Sequence, residues 1–482
     1  MLSIVQRTGH GAARARVPRR RILQAGGAGL FGLDVPTLLA AEASGGAGPA
    51  RARSVIFLFL FGGPSQLETF DLKPDAPADI RGPFLPIASR TPDLRICEHL
   101  PLTAAVSDRF CVIRSMTHSY NDHSGGAHYI QTGHRWHVPV GGGFSATPKD
   151  WPSMGSVVEH IAQRTAGPHG AAAFPSYVVL PNRLGRLQDS GQYIRPGEYA
   201  GWLGQGFNPL TTAIDKRDAG DNPYWRDCAD DEADFRLQGL ADEHVLTLDR
   251  VERRLSLLEQ MDVARRSFDA SASAAAFDRF RERAVGLVSS PHARTALDIR
   301  REPAAIRDRY GRHLFGQSVL MARRLVEAGV RFVTVHYDCV DGYSWDSHRN
   351  SDDVRHRLLP TFDQAYSALV EDLDRRGLLE ETLVVALGEM GRTPKPNATW
   401  GRGHWSQLFP ALLAGGGIRG GTVYGASDRQ AAEVVDAPTS PEDLAATIYD
   451  ALGIDPDLQL SDAEGRPIPI VSGGRPLRQL FG

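Results

Sequence analysis

Val55-Ile56-Phe57-Leu58-Phe59-Leu60-Phe61 is an unbroken apolar run closed by Gly62-Gly63-Pro64. A run this short, stopped by Gly and Pro, suits a strand buried on both faces, as in a parallel sheet. Further strand candidates are Phe110–Ile113, Tyr177–Leu180, Arg331–Tyr337, Thr382–Leu387 and Leu412–Ala414, with helical patterns between them. One unit shows the connection: the strand at 331–337 leads into a polar loop, Asp338 to Asn350. Pro360 then fits the first turn of a helix whose apolar positions Phe362, Ala365, Leu369 and Leu373 recur at three and four residues. Gly377 ends it, and the chain returns as Thr382–Leu387, stopping at Gly388-Glu389-Met390-Gly391. Strand, crossover helix and strand predict an α/β fold, a mostly parallel sheet sandwiched by helices. In such sheets ligands bind at the carboxyl ends of the strands.

The 482 residues fit one large core with an insertion. From about 240 to 330, Val251, Leu255, Leu258 and Met261 recur at helical spacing amid charges, and 275–289 and 304–328 also read as helices. This stretch is expected to be a helical insertion, its apolar stripes packing faces. Loops at 136–153 and 183–212 either shape an entrance or are ordinary surface. A net charge of −3 with no basic stripe excludes nucleic acid as the expected partner. Cys97, Cys111, Cys228 and Cys339 are scattered without a paired motif, which argues against a structural zinc knot and leaves free thiols and disulfides both open.

Arg19-Arg20-Arg21-Ile22-Leu23-Gln24 reads as a twin-arginine signature, followed by a Gly/Ala-rich apolar stretch and Ala41-Glu42-Ala43 before Ser44. Basic, apolar and small-residue regions in that order describe an export signal over 1–43, the alternative being a basic tail. A periplasmic or otherwise exported protein of residues 44–482 is therefore expected. No later apolar run approaches the ~18 residues of a membrane span.

Polar clusters follow the predicted strands: Gly62 to Asp71, Thr117 to His128, Ser344-Trp345-Asp346-Ser347-His348, and Gly388 to Pro394 with Gly401 to Trp405. Carboxylates and imidazoles on neighbouring loops suit a divalent ion, Zn²⁺, Mn²⁺, Mg²⁺ or Ca²⁺, with each His tilting the set toward zinc. Such an ion polarises a phosphoryl or sulfuryl oxygen and lowers a nucleophile's pKa. Alone, each His or Asp is better explained by capping or loop hydrogen bonds, and only their coincidence at one sheet edge points to a site.

The blocks GGPSQLETFDLKP, NDHSGGAHYIQTGH, WDSH, GEMGRTPK, GRGHW and PALLAGGGIRGG, in that order between about residues 54 and 425, resemble the DUF1501 family. That family looks like a distant branch of the alkaline phosphatase and sulfatase superfamily. The resemblance implies an alkaline-phosphatase-like fold and one or two divalent ions. Superfamily hydrolases carry Ser-Asp-His-Gly where this chain has Gly388-Glu389-Met390-Gly391, so Glu389 can stand for the Asp while Met390 cannot stand for the imidazole. His404 fits another ligand place, and Asp346 and His348 match a third, with Asp338 as a fallback.

The first ligand Asp of the superfamily falls on Gly62-Gly63, for which Glu68 or Asp71 would have to reach back. The nucleophile's place falls on His123 and Ser124. The resemblance thus implies one ion held by Asp346, His348 and His404, with Glu389 as ligand or supporting partner. Any second ion would be built differently, around His118, Asp122, His123 and His128. Arg392 would either grip a substrate oxyanion or pair with Glu389. The expected activity is hydrolysis of sulfate or phosphate esters, on small molecules or polysaccharides. The alternative is a non-catalytic protein on the same fold that binds a ligand or an envelope partner.

Overall fold

The computed structural model describes residues 49–166, 174–188, 193–237, 290–338, 344–462 and 464–482. Residues 1–43, read as an export signal, Cys339, and residues 240–289 of the stretch read as an insertion lie outside them. β1 (Ser54–Leu60), β2 (Phe110–Met116), β3 (Tyr177–Leu180), β4 (Leu210–Ala213), β5 (Arg236–Leu237), β6 (Phe332–Tyr337), β7 (Thr382–Leu387), β8 (Phe409–Ala414) and β9 (Thr422–Tyr424) form one sheet. Among the described residues its order is β9-β2-β8-β7-β1-β6-β3-β4-β5. β1 pairs in parallel with β6 and β7, as β3 does with β6 and β4. β8 runs against β7 and β2, and β5 against β4. The fold is the expected mostly parallel α/β sandwich.

Among the described residues, five longer helices cover the sheet: α1 (His123–Thr132), α2 (Met154–Ala166), α3 (Leu314–Glu327), α4 (Leu359–Arg375) and α5 (Pro441–Ala451). Successive strand side chains point to opposite faces, so β1 feeds two cores at once. Ile56, Leu58 and Leu60 join Val319 and Leu320 of α3 and Phe362 and Leu369 of α4. Val55, Phe57 and Phe59 join Ile130 of α1, Val157 of α2 and Leu444 and Ile448 of α5. That double burial is why β1 is apolar without alternation. Pro360 lies in the first turn of α4 as its sequence implies. Within the stretch read as an insertion, α3 packs directly on the sheet and completes one helical layer. Among the described residues no helix is long and apolar enough to cross a membrane.

Glu198, on the loop between β3 and β4, is buried 3.7 Å from His336 of β6. Burial pushes the Glu198 carboxyl up to about 8 and the His336 imidazole down to about 3, so at neutral pH this contact is not an ion pair. The folded pKa of Glu198 lies above its ordinary 4.5, so its contribution is full below pH 4.5 and is lost as pH rises toward 8. Urea unfolding of Glu198→Gln between pH 4.5 and 8 checks this. The variant is expected to lose less stability than the parent over that window, by a few kcal/mol, since each tenfold difference in proton affinity is worth about 1.4 kcal/mol. Parallel pH profiles would contradict it.

Candidate metal centre

The carboxyl ends of β1, β6 and β7 meet at one point of the sheet edge. β1 gives Gly62-Gly63, the loop after β6 gives Asp346 and His348, and β7 gives Glu389. His123 opens α1, whose Asp122 caps it by accepting from the Gly125 amide at 2.8 Å. His404 lies on a short antiparallel pair, where Arg392 is its cross-strand partner. Loop 397–402 is fastened to the Asp346 loop by Arg402 N to Ser347 O at 3.0 Å and Asn397 Nδ2 to His348 O at 2.8 Å. Trp345, buried against Tyr337 and Phe362, anchors the loop from below.

One donor atom from each of His123, Asp346, His348 and His404 lies within 4.8 Å of the other three. Asp346 Oδ1 is 2.9 Å from His348 Nε2 and 3.3 Å from His404 Nε2, and these nitrogens are 3.0 Å apart. Two ligands of a tetrahedral ion with bonds of ~2.0–2.1 Å are separated by about 3.3 Å, so this triangle has the size of one coordination face. His123 Nε2 lies 3.1 Å from Asp346 Oδ2, beside this triangle.

The partners behind the rings fix their tautomers. His123 Nδ1 lies 2.5 Å from Glu389 Oε1, and His404 Nδ1 lies 3.1 Å from the Asn121 carbonyl. Each acceptor draws the proton to Nδ1 and leaves the Nε2 lone pair facing the cluster, the arrangement that orients metal-binding histidines. His123 Nε2 is buried yet makes no aligned hydrogen bond among the described residues, and Asp346 Oδ1, also buried, has its pairing with Arg392 at 2.6 Å. Nitrogen and oxygen donors this close together fit a cation between them. Burial alone would lower the His123 pKa, but without an ion Asp346 and Glu389 outweigh it and raise it to about 9, so an ion bound here would displace the Nε2 proton. Burial would likewise raise Asp346, whereas His123, His348 and His404 hold it far below the usual carboxylate range.

Several expected roles change. Glu389 is not among the four converging groups. Its carboxylate accepts from the Gly62 amide at 2.9 and 3.0 Å and from His123, which places it behind the cluster. His123, read at the nucleophile's place or as part of a second site, lies in the cluster with Asp346, His348 and His404. Arg392 is fully buried and donates to the carbonyls of Gly62, Gly63 and Arg402 while pairing with Asp346 Oδ1 at 2.6 Å. Its fork is consumed, so it anchors Asp346 and has no free edge for a substrate.

Ser124 is buried, its hydroxyl 3.4 Å from the Phe144 carbonyl and 3.3 Å from Arg195 Nη1. His118 packs behind Glu389, its Nε2 2.6 Å from that residue's carbonyl, and burial lowers its pKa to about 4. His128 faces the His134 carbonyl, also neutral by burial, and Asp122 is a helix cap. No second cluster forms from them among the described residues.

Glu68 pairs with Arg402 at 3.0 Å and Asp71 with Lys73 at 2.9 Å, so neither reaches back to the first ligand place. Asp338 accepts from the Gly185 amide at 2.9 Å, outside the cluster. Gly62-Gly63 has its own physical reason. At φ +109°, a Cβ on Gly62 would sit 2.3 Å from the Asp346 amide nitrogen, and one on Gly63 would sit 2.4 Å from the Met390 carbonyl. The strand end is bare so that the Asp346 loop and Met390 can pack against it.

No curated protein matches the chain by sequence. Among solved structures, a variant of the alkaline phosphatase PafA is similar at 10% identity and TM-score 0.40, over 90% of this chain and 100% of that one. A sulfatase from Pseudoalteromonas sp. is similar at 14% identity and TM-score 0.38, over 94% and 75%. A phosphonate monoester hydrolase from Silicibacter pomeroyi is similar at 13% identity and TM-score 0.35, over 89% and 76%. The blocks that meet at this sheet edge fall inside residues 52–481, which match one family along their whole length: the chain belongs to the family described as protein of unknown function (DUF1501).

Proposed function

We propose that the chain is a metal-dependent hydrolase of sulfate or phosphate esters with one divalent ion, held by His123, Asp346, His348 and His404. The observation that carries this is the convergence of their four donor atoms within 4.8 Å. Three imidazoles and one carboxylate, three of their donor atoms at tetrahedral spacing, favour zinc over the harder ions. When bound, the ion supplies Lewis acidity for a sulfuryl or phosphoryl oxygen. The chain's residues do the rest. Glu389 holds the proton on His123 Nδ1, Asn121 holds that on His404, and Arg392 fixes Asp346. His348, its side chain 48% exposed, marks the open side where an ester enters.

Ser124 is the proposed nucleophile, placed at the start of α1 beside His123. One observation favours the second reading, a binding protein without turnover: among the described residues Ser124 Oγ has no carboxylate or imidazole partner to take its proton. Metal analysis and an aryl phosphate and aryl sulfate assay separate the cases. The hydrolase is expected to carry about one zinc per chain, to be stabilised by it, and to lose turnover on chelation and in Ser124→Ala. Zinc without turnover would leave the binding protein, and a chain that neither binds zinc nor melts higher with it would overturn both.

A further inference from the structure

Arg195 differs from the other arginines around the centre. Arg392 and Arg402 are consumed by carbonyls and carboxylates, whereas Arg195 has no carboxylate partner among the described residues. Its Nη1 donates to Ser124 Oγ at 3.3 Å, and its buried Nε has no partner there. The guanidinium carbon lies 5.3 Å from the centre of the Phe61 ring and 5.4 Å from that of Tyr193, held by two cation–π contacts. Phe61 in turn lies 5.3 Å, ring to ring, from His123. A charged fork with unused donors is thus fixed one side chain away from the metal ligands, against the proposed nucleophile.

The surroundings continue this site outward. Phe144 and Tyr193 lie 5.2 Å apart, ring to ring, and are 48% and 40% exposed. Val140 and Ile194 on the same two loops are also exposed, and Ala146 N to Ile194 O at 2.6 Å ties the loops together. Apolar rings left half in water beside an unpaired cation fit an anion that carries a ring.

We infer that Arg195 with Phe144 and Tyr193 forms the substrate subsite, Arg195 gripping the oxyanion head of a sulfate or phosphate monoester and the two rings holding its ring-shaped body. The inference rests on the ester-hydrolase reading for its substrate class, yet its binding test is independent of turnover. Calorimetric titration of the full chain with inorganic phosphate and with phenyl phosphate reads it. Arg195→Gln is expected to weaken both roughly tenfold to a hundredfold, the loss of charged hydrogen bonds. Arg195→Lys should recover part of this, with zinc content and melting temperature unchanged in either variant. Tyr193→Ala should weaken phenyl phosphate a few-fold and leave inorganic phosphate as it was. A parent that binds neither probe, or an Arg195→Gln chain that binds both like the parent, would overturn the subsite. Arg195-dependent phosphate binding by a chain devoid of zinc would uphold the subsite while the metal reading fails.

Discussion

A chain carrying Asp346→Ala is expected to retain no zinc after dialysis and to unfold at lower urea than the parent. Asp346 is the sole carboxylate in the four-residue cluster, and its oxygens face His123, His348, His404 and Arg392. Without it the ion would meet three neutral imidazoles and a cation. Supporting partners behind a ligand typically cost ~10–100-fold in affinity, and loss of the charged ligand itself should exceed that range. The stability loss has a second source. Arg392 is buried and keeps its carbonyl partners but loses its counter-charge, worth about 1.5–3 kcal/mol for a charged hydrogen bond. Asp346→Asn separates the two effects, because an amide oxygen can still accept from Arg392 while the charge is gone. It should lose zinc and keep most of the stability; zinc retained by Asp346→Asn at parental affinity would remove this residue from the centre.

The fold was legible where residues are buried on both faces. Val55–Leu60, Leu383–Leu387 and Tyr177–Leu180 are apolar throughout because each feeds two cores, and all three lie in strands. Leu210–Ala213 and Thr422–Tyr424 were not legible, since both lie toward the sheet's flanks and carry partly exposed Thr residues. At the centre, Asp346, His348 and His404 could be named from their motifs, but the roles of Glu389 and His123 could not be told apart. Both residues follow strands and both have ligand chemistry. What decides between them is which face of α1 His123 presents and that the Gly62 amide claims both oxygens of Glu389. Arg392 misled for a related reason: its sequence shows a guanidinium beside the site and not the carbonyls that use it. Arg195 carries no motif signal, and its one sequence clue is a place on the 183–212 loop.

Gly62→Ala is expected to damage fold and metal centre together, and a second glycine shows how much of that is local. Gly62 has φ +109°, and a Cβ there would lie 2.3 Å from the Asp346 nitrogen and 2.7 Å from the Trp345 carbonyl carbon. Both are backbone atoms, so no rotamer change relieves the overlap and one loop must move. Moving Gly62 breaks its two amide contacts to Glu389 and its carbonyl contact to Arg392; moving the other loop displaces Asp346. Backbone strain of ~1–2 kcal/mol adds to ~1–3 kcal/mol for overpacking, about 2–5 kcal/mol in all. Gly377 also has positive φ, +69°, but open space around its missing Cβ. Gly377→Ala should therefore cost only the ~1–2 kcal/mol of strain and leave zinc affinity alone. Urea unfolding with zinc titration of both variants distinguishes close approach from backbone conformation. Equal stability losses with zinc binding intact would mean that Gly62 is there for its φ angle, and that the seat of Asp346 tolerates a side chain at the end of β1.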